Sequence, residues 1–337
     1  MEIALFMDTH GLGRRDDHNW FLQPTPATEM RPVQIAQRAE RHGFHSLWFS
    51  DHVTLPLTSD SGHVANPESR TRAYPPRPTM MDGAVVMGAI AAATERIKMS
   101  PSVLISPYRG PLNDARQFAT VDVLSKGRLT AGVGVGWMSE EILLLGGPPF
   151  AERAKASDEY IEAFRELWTS EAPEQRGSHT DFRNLMFAPK TAQKPHAPIW
   201  VGGETKAARR RAGRLGDGWY PVANNPQLPL DAPDLYGEAL THVQSAAENV
   251  GKDANSITGA LLAIYCSIGS EQEGRDGGRQ TFTGSAQAII DDIAQFEEQG
   301  LEHFLIGGDG SDLEGTNDRL EQFAAEIMAN FVCTPVN

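Results

Sequence analysis

The run PIWVGGETKAARRRAGRLGDGWYP, residues 198–221, decides the fold class. Pro198 to Val201 is a short apolar, β-prone stretch that ends in the paired glycines Gly202 and Gly203. Lys206 to Leu215 then carries apolar residues at helical spacing, and Gly218 to Pro221 is a second short β-prone run after the tight turn at Gly216 and Asp217. A strand, a helix and another strand in so short a span form a crossover unit, and such units build parallel sheets.

Outward from this unit the same alternation continues to both ends of the chain. Further β-prone runs are read at Ile3 to Phe6, Ser46 to Phe49, Lys98 to Ile105, Leu129 to Val133, Gly259 to Ile268 and His303 to Ile306. Helical periodicity is read at Pro32 to His42, Asp82 to Thr94, Leu112 to Leu124, Asp158 to Thr169, Gly237 to Val250, Ala286 to Gln299 and Asn317 to Ala329. Gly43, Gly127, Gly251 and Gly300 each follow a helical stretch, where a left-handed residue ends a helix. Eight strands with eight following helices predict one α/β domain over residues 1–337, a (β/α)8 TIM barrel. Three segments outrun the minimal repeat: 11–30, 54–79 and 140–196. The first two directly follow strands, so they are expected as lids at the carboxyl face of the barrel.

Composition narrows the function classes. The 337 residues are 40% hydrophobic, enough for a substantial core, and carry a formal charge of −14. Nucleic-acid binding would need a basic stripe. The one candidate, Arg209, Arg210, Arg211 and Arg214, reads either as a solvated helix face or as counter-charge for a bound phosphate. Cys266 and Cys333 are too few for a disulfide framework and are expected as reduced thiols. No apolar run approaches the roughly 20 residues of a membrane helix. The start lacks a basic flank and cleavage site, so the protein is expected to be soluble and cytoplasmic.

Four local patterns carry possible chemistry. Leu129-Thr-Ala-Gly-Val-Gly-Val-Gly-Trp137 ends a strand in Gly132, Gly134 and Gly136, which either admit something flat or anionic or let a barrel strand turn inward. Gly202, Gly203, Glu204 and Thr205 open a helix whose first amides suit a phosphate, with a plain helix cap at Thr205 as the alternative. Asp51 and His52 follow the second strand. His52 is the candidate acid–base group, and a structural histidine is the alternative. His10 is a weaker candidate of the same sort. No His-x-His pair, Cys-x-x-Cys, Gly-x-Ser-x-Gly turn or Walker loop occurs, so no metal site is expected and a large aromatic cofactor fits the pattern better.

With these residues in view, the sequence resembles the luciferase-like flavin-dependent oxidoreductase superfamily over nearly its whole length, in particular the group labelled probable F420-dependent oxidoreductases. The landmarks are Trp48-Phe-Ser-Asp-His52, Ala93-Thr-Glu-Arg-Ile97, Gly127-Arg-Leu129 running into Gly132-Val-Gly-Val-Gly-Trp137, Pro149-Phe-Ala-Glu-Arg153, and Pro198 to Gly203 followed by Gly216-Asp-Gly-Trp219. The resemblance implies a flavin or deazaflavin across the strand ends and a non-prolyl cis peptide at Ser102-Val103 behind its ring. It further implies that Gly134, Gly136 and Trp137 border the ring, that Gly202, Gly203, Glu204 and Thr205 receive the phosphate, and that Asp51 and His52 form the catalytic region. Sugar-phosphate dehydrogenases of the superfamily carry a glutamate where Trp137 stands, and luciferases an arginine where Val135 stands. The expectation is a two-component monooxygenase using reduced FMN, a partner flavin reductase and O2 on a small organic substrate, as a homodimer. F420-dependent hydride transfer and a non-catalytic flavin-binding protein are the alternatives.

Overall fold

The β-prone runs form buried strands that lie parallel to one another. The computed structural model describes residues 1–7, 26–56, 81–308 and 312–331. In chain order the first half contains β1 (Glu2–Met7), α1 (Pro32–Arg41), β2 (Ser46–Phe49), α2 (Gly83–Ala93), β3 (Lys98–Pro101), β4 (Leu104–Ile105), α3 (Pro111–Leu124), β5 (Ala131–Gly134), α4 (Ser139–Leu144) and α5 (Arg153–Thr169). A small antiparallel hairpin follows, β6 (Gln175–Arg176) with β7 (Asp181–Phe182). Then come β8 (Ile199–Gly202), α6 (Lys206–Leu215), β9 (Gly218–Tyr220), α7 (Pro233–Glu248), β10 (Thr258–Ala263), β11 (Ser267–Ile268), β12 (Thr283–Gly284), α8 (Ala286–Glu298), β13 (His303–Gly307) and α9 (Leu313–Glu326).

The main sheet runs β3-β2-β1-β13-β10-β9-β8-β5-β4. Its two ends are the two halves of one strand, broken at the cis peptide Ser102-Val103. The sheet therefore closes on itself as an eight-stranded barrel, and the backbone bonds Met99 N to Arg128 O and Thr130 N to Met99 O, both 2.9 Å, complete the ring. Alternate residues of each strand divide between two cores, as the period of two requires. Ala4, Phe6, Trp48, Trp200, Tyr220, Ala260, Leu262 and Leu305 fill the interior. Ile3, Leu5, Leu47, Phe49, Leu261 and Phe304 face the helices.

Two polar staples secure the amino-terminal face. The buried Arg128 guanidinium donates to the carbonyls of Ala91, Thr94, Ile97 and Ser125 and to the Thr94 hydroxyl, occupying acceptors at the end of α2. The Glu40 carboxylate accepts the amides of Glu95, Arg96 and Ile97. The landmarks Gly127-Arg-Leu129 and Ala93 to Ile97 thus hold barrel and helix together, away from the strand ends where ligands bind barrels.

The structure departs from the sequence expectation in several places. The expected strand Gly259 to Ile268 ends at Ala263, because the chain turns there with Cys266 N bonded to Ala263 O, and its tail forms β11. Helix α5 begins at Arg153, five residues before Asp158, and segment 140–196 contains most of α4, α5 and the β6–β7 hairpin. Arg211 turns inward to Asp158 and the carbonyl of Ala154, tying α6 to α5, so it is no counter-charge for a ligand. Cys266 is buried and unpaired, and burial pushes its thiol up to about 12. Most of the two expected lids, with His10, and also Cys333 lie outside the described residues. Among the described residues no helix is long and apolar enough to cross a membrane, and no group of three or more His, Cys, Asp or Glu could hold a metal ion.

Candidate active site

Strand β2 ends at Phe49, so Asp51 and His52 lie beyond the pleat and need not face opposite sides. Both are buried, and each has its own fixed partner. Asp51 is gripped by Arg109 through two bonds, Nη1 to Oδ2 at 2.9 Å and Nη2 to Oδ1 at 2.5 Å, and Oδ2 also accepts the amide of Ile105 at 3.0 Å. That pair ties the end of β2 to the end of β4. His52 turns the other way: its Nδ1 lies 2.7 Å from Oε2 of Glu141 on α4.

Glu141 is the central group of this cluster, and it is completely buried. Oε2 also accepts the Tyr108 hydroxyl at 2.5 Å, while Oε1 accepts the amides of Val53 and Thr54 at 2.7 and 3.1 Å. Burial works against its charge, but the hydrogen bonds and the neighbouring His52 outweigh it and hold the carboxyl below its ordinary range. The sequence reading missed Glu141 because 140–196 reads as an insertion. A usable signal was present: Ser139, Glu140 and Glu141 ahead of Ile142 form an acidic first turn of a short helix. Trp137, from the turn before α4, stands edge-on to His52 with ring centroids 6.3 Å apart.

The floor lies at the break between β3 and β4. The Ser102 amide donates to Phe49 O. Its hydroxyl is 2.8 Å from that of Tyr220, whose ring packs at a tilt against Trp48 within the barrel. A side chain on Gly132 would overlap the Pro101 carbonyl, one on Gly134 the Val103 methyl, and one on Gly136 would come 2.6 Å from the Ile105 methyl. These glycines make room for the neighbouring strand. Arg153 holds the turn that follows, with its guanidinium over the Phe150 ring at 3.8 Å and Nε bonded to Gly136 O at 3.1 Å.

At the end of β8, Gly203 has φ +110° and Thr205 caps α6 by accepting the Ala208 amide at 3.1 Å. The Glu204 carboxylate points onto the β9 loop, accepting the amide of Val222 at 2.9 Å and the side-chain amide of Asn225 at 2.7 Å. Burial raises its pKa, against the lowering effect of the hydrogen bonds from Val222 and Asn225. Arg209 lies against Trp219, 5.9 Å from its ring. The site residues expected from sequence thus fall into three places: His52 with Trp137, Ser102 and Val103 with Gly134 and Gly136, and Gly202 to Thr205. Asp51 belongs to the Arg109 pair.

The sequence profile described as luciferase-like monooxygenase matches residues 17–331. The chain is 25% identical over 292 residues to an FMNH(2)-dependent dimethylsulfone monooxygenase of Pseudomonas putida, covering 81% of this chain and 75% of that one. It is 33% identical over 204 residues to an F420-dependent glucose-6-phosphate dehydrogenase of Microbacterium testaceum, covering 60% and 53%. Among solved structures, a long-chain alkane monooxygenase superposes with a TM-score of 0.75 at 15% identity, over 99% of this chain and 92% of that one. At that identity the likeness concerns the fold alone.

Proposed function

The chain belongs to the luciferase-like monooxygenase family, a family of flavin- or F420-dependent oxidoreductases, and from that premise we propose that it is a two-component monooxygenase acting on a small organic molecule. Its cofactor is reduced FMN delivered by a separate reductase. The observation that carries this reading is a histidine held by a buried carboxylate beside Trp137 at the strand ends. The preference for FMN rests on the longer alignment with the FMNH(2)-dependent relative, and on the glutamate that the family resemblance implies for sugar-phosphate dehydrogenases being replaced here by Trp137. The shorter but more identical match to an F420-dependent relative supports hydride transfer to or from F420 as the second reading.

The residues present fit such a cofactor. The first-turn amides of Lys206 and Ala207 lack intrahelical acceptors, and with Gly203 they suit a phosphate. Ser102 and Val103 at the strand break and Trp137 beside His52 suit the ring, while Gly134 and Gly136 let β5 approach Val103 and Ile105 beneath it. Bound there, a reduced flavin supplies two electrons that, with O2, place one oxygen atom in the substrate and the other in water. The chain contributes proton exchange at His52, with Trp137 edge-on beside it, and the Asp51–Arg109 pair that fixes the strand ends.

Anaerobic titration with reduced FMN and separately with F420, followed by tryptophan quenching, tests the cofactor. Reduced FMN is expected to bind tighter, and product formation is expected to consume O2; F420 preference with no O2 uptake overturns the monooxygenase reading. Replacing His52 with alanine is expected to lower kcat by about 10²–10⁴-fold while the cofactor Kd stays within about threefold. Loss of cofactor affinity with unchanged turnover of the bound enzyme contradicts the acid–base role.

A further inference from the structure

We infer that Glu141 is the positioning residue of the site: it sets the tautomer of His52 and fixes the chain that leaves it, and takes no proton itself. The inference rests on the reading of His52 as the proton-exchanging group. Its two carboxylate oxygens have separate tasks. Oε2 receives His52 Nδ1 and the Tyr108 hydroxyl, and Oε1 receives the amides of Val53 and Thr54, the two residues after the histidine. One rigid group therefore fixes the ring and the backbone on which the ring is mounted.

The protonation states follow from chemistry. Glu141 is held in its ionised form, and an ionised carboxylate only accepts hydrogen bonds. At 2.7 Å from it, Nδ1 must therefore carry a proton. In the neutral ring the acceptor lone pair then lies on Nε2, the nitrogen through which His52 exchanges a proton with substrate or cofactor. When Nε2 takes a proton, the cation forms against a fixed negative charge that needs no rearrangement.

The competing candidates for this task are ruled out by their bonds. Asp51 is adjacent in sequence, but both its oxygens face Arg109 and one also holds the Ile105 amide. Glu204 is engaged with Val222 and Asn225. Glu141 is itself a poor proton carrier, because each oxygen already accepts two hydrogen bonds and the side chain is fully buried.

The test replaces Glu141 with Gln, which keeps the shape and removes the charge. Nitrogen-15 NMR of the histidine-labelled, cofactor-free protein reads the tautomer directly. Wild type is expected to show His52 protonated at Nδ1, and E141Q a mixture with the Nε2-protonated form. With the cofactor bound, kcat is expected to fall by about 100-fold or more, with KM and cofactor Kd within about threefold. Glu141→Asp, which retains the charge, is expected to restore part of kcat and of the Nδ1 signal. An unchanged tautomer in folded E141Q, or equal losses in E141Q and E141D, overturns the inference. Because the NMR readout needs no cofactor, it holds or fails independently of whether the reaction uses FMN, F420 or neither.

Discussion

Replacing Asp114 with asparagine is expected to stabilise the protein by about 2–4 kcal/mol at pH 8 and to change little at pH 4. Asp114 lies in the first turn of α3, is 1% exposed, and neither of its carboxylate oxygens has a hydrogen-bond partner. Burial pushes its pKa up from 3.8 to about 7, with the charges of Asp51 and Asp82 adding to the rise and Arg109 opposing it. Below the unfolded value both states hold the proton and no ionisation penalty arises. As pH rises from about 4 to about 7 the unfolded chain releases the proton while the folded one keeps it, so stability falls. Above that window the full cost is present. Each pH unit between the two values corresponds to about 1.4 kcal/mol, so the gap from 3.8 to about 7 sets the upper end of the range. Melting temperatures at the two pH values, at matched ionic strength, measure the effect. Equal destabilisation by D114N at both would show instead that the carboxylate is ionised and paired in the fold.

The position of Asp114 gives that titration a functional reach. Arg109 is the partner of Asp51, and it also senses Asp114, while Tyr160 of α5 senses the same charge. When Asp114 ionises, the Arg109 guanidinium has a second anion to neutralise within the pair that joins the ends of β2 and β4. In that setting a buried acid without hydrogen-bond partners is a cost carried at the carboxyl face of the barrel, beside the candidate site.

The barrel was legible because its signals are local and periodic. Each strand is a short apolar run between turn residues, and helices such as α6 begin at a readable cap and end before a glycine. The site was less legible for a physical reason. His52 could be found because it follows a strand at the carboxyl face, but its partner lies 89 positions away on a six-residue helix that periodicity cannot reveal. Likewise Asp51 reads as half of an acid–histidine pair, and only Arg109, on the loop before α3, shows that the neighbours have separate work. The landmark Gly127-Arg-Leu129 reads as a prelude to the glycine-rich strand, whereas Arg128 fastens the end of α2.

The glycines of β5 meet a structural demand set by the neighbouring strand. Alanine at Gly132 is expected to cost about 3 kcal/mol or more, since its methyl would overlap the Pro101 carbonyl and come 2.8 Å from the Ser100 hydroxyl and 3.1 Å from the Trp48 ring. The carbonyl is backbone and Trp48 is fixed inside the barrel, so relief requires moving β3 itself. Alanine at Gly134 meets the half-buried Val103 side chain, which can shift, so a smaller loss of about 1–2 kcal/mol is expected. That shift moves the floor between β3 and β4, so G134A should also weaken cofactor binding in the anaerobic titration. Gly88, within α2 and with nothing within 4 Å of an added methyl, is the control; there alanine is expected to stabilise by about 0.5–1 kcal/mol. Chemical denaturation of the three variants ranks them. If G132A is as stable as G88A, the close approach of β5 to β3 is not what requires glycine, and the reading of this strand as one shaped by its neighbour fails.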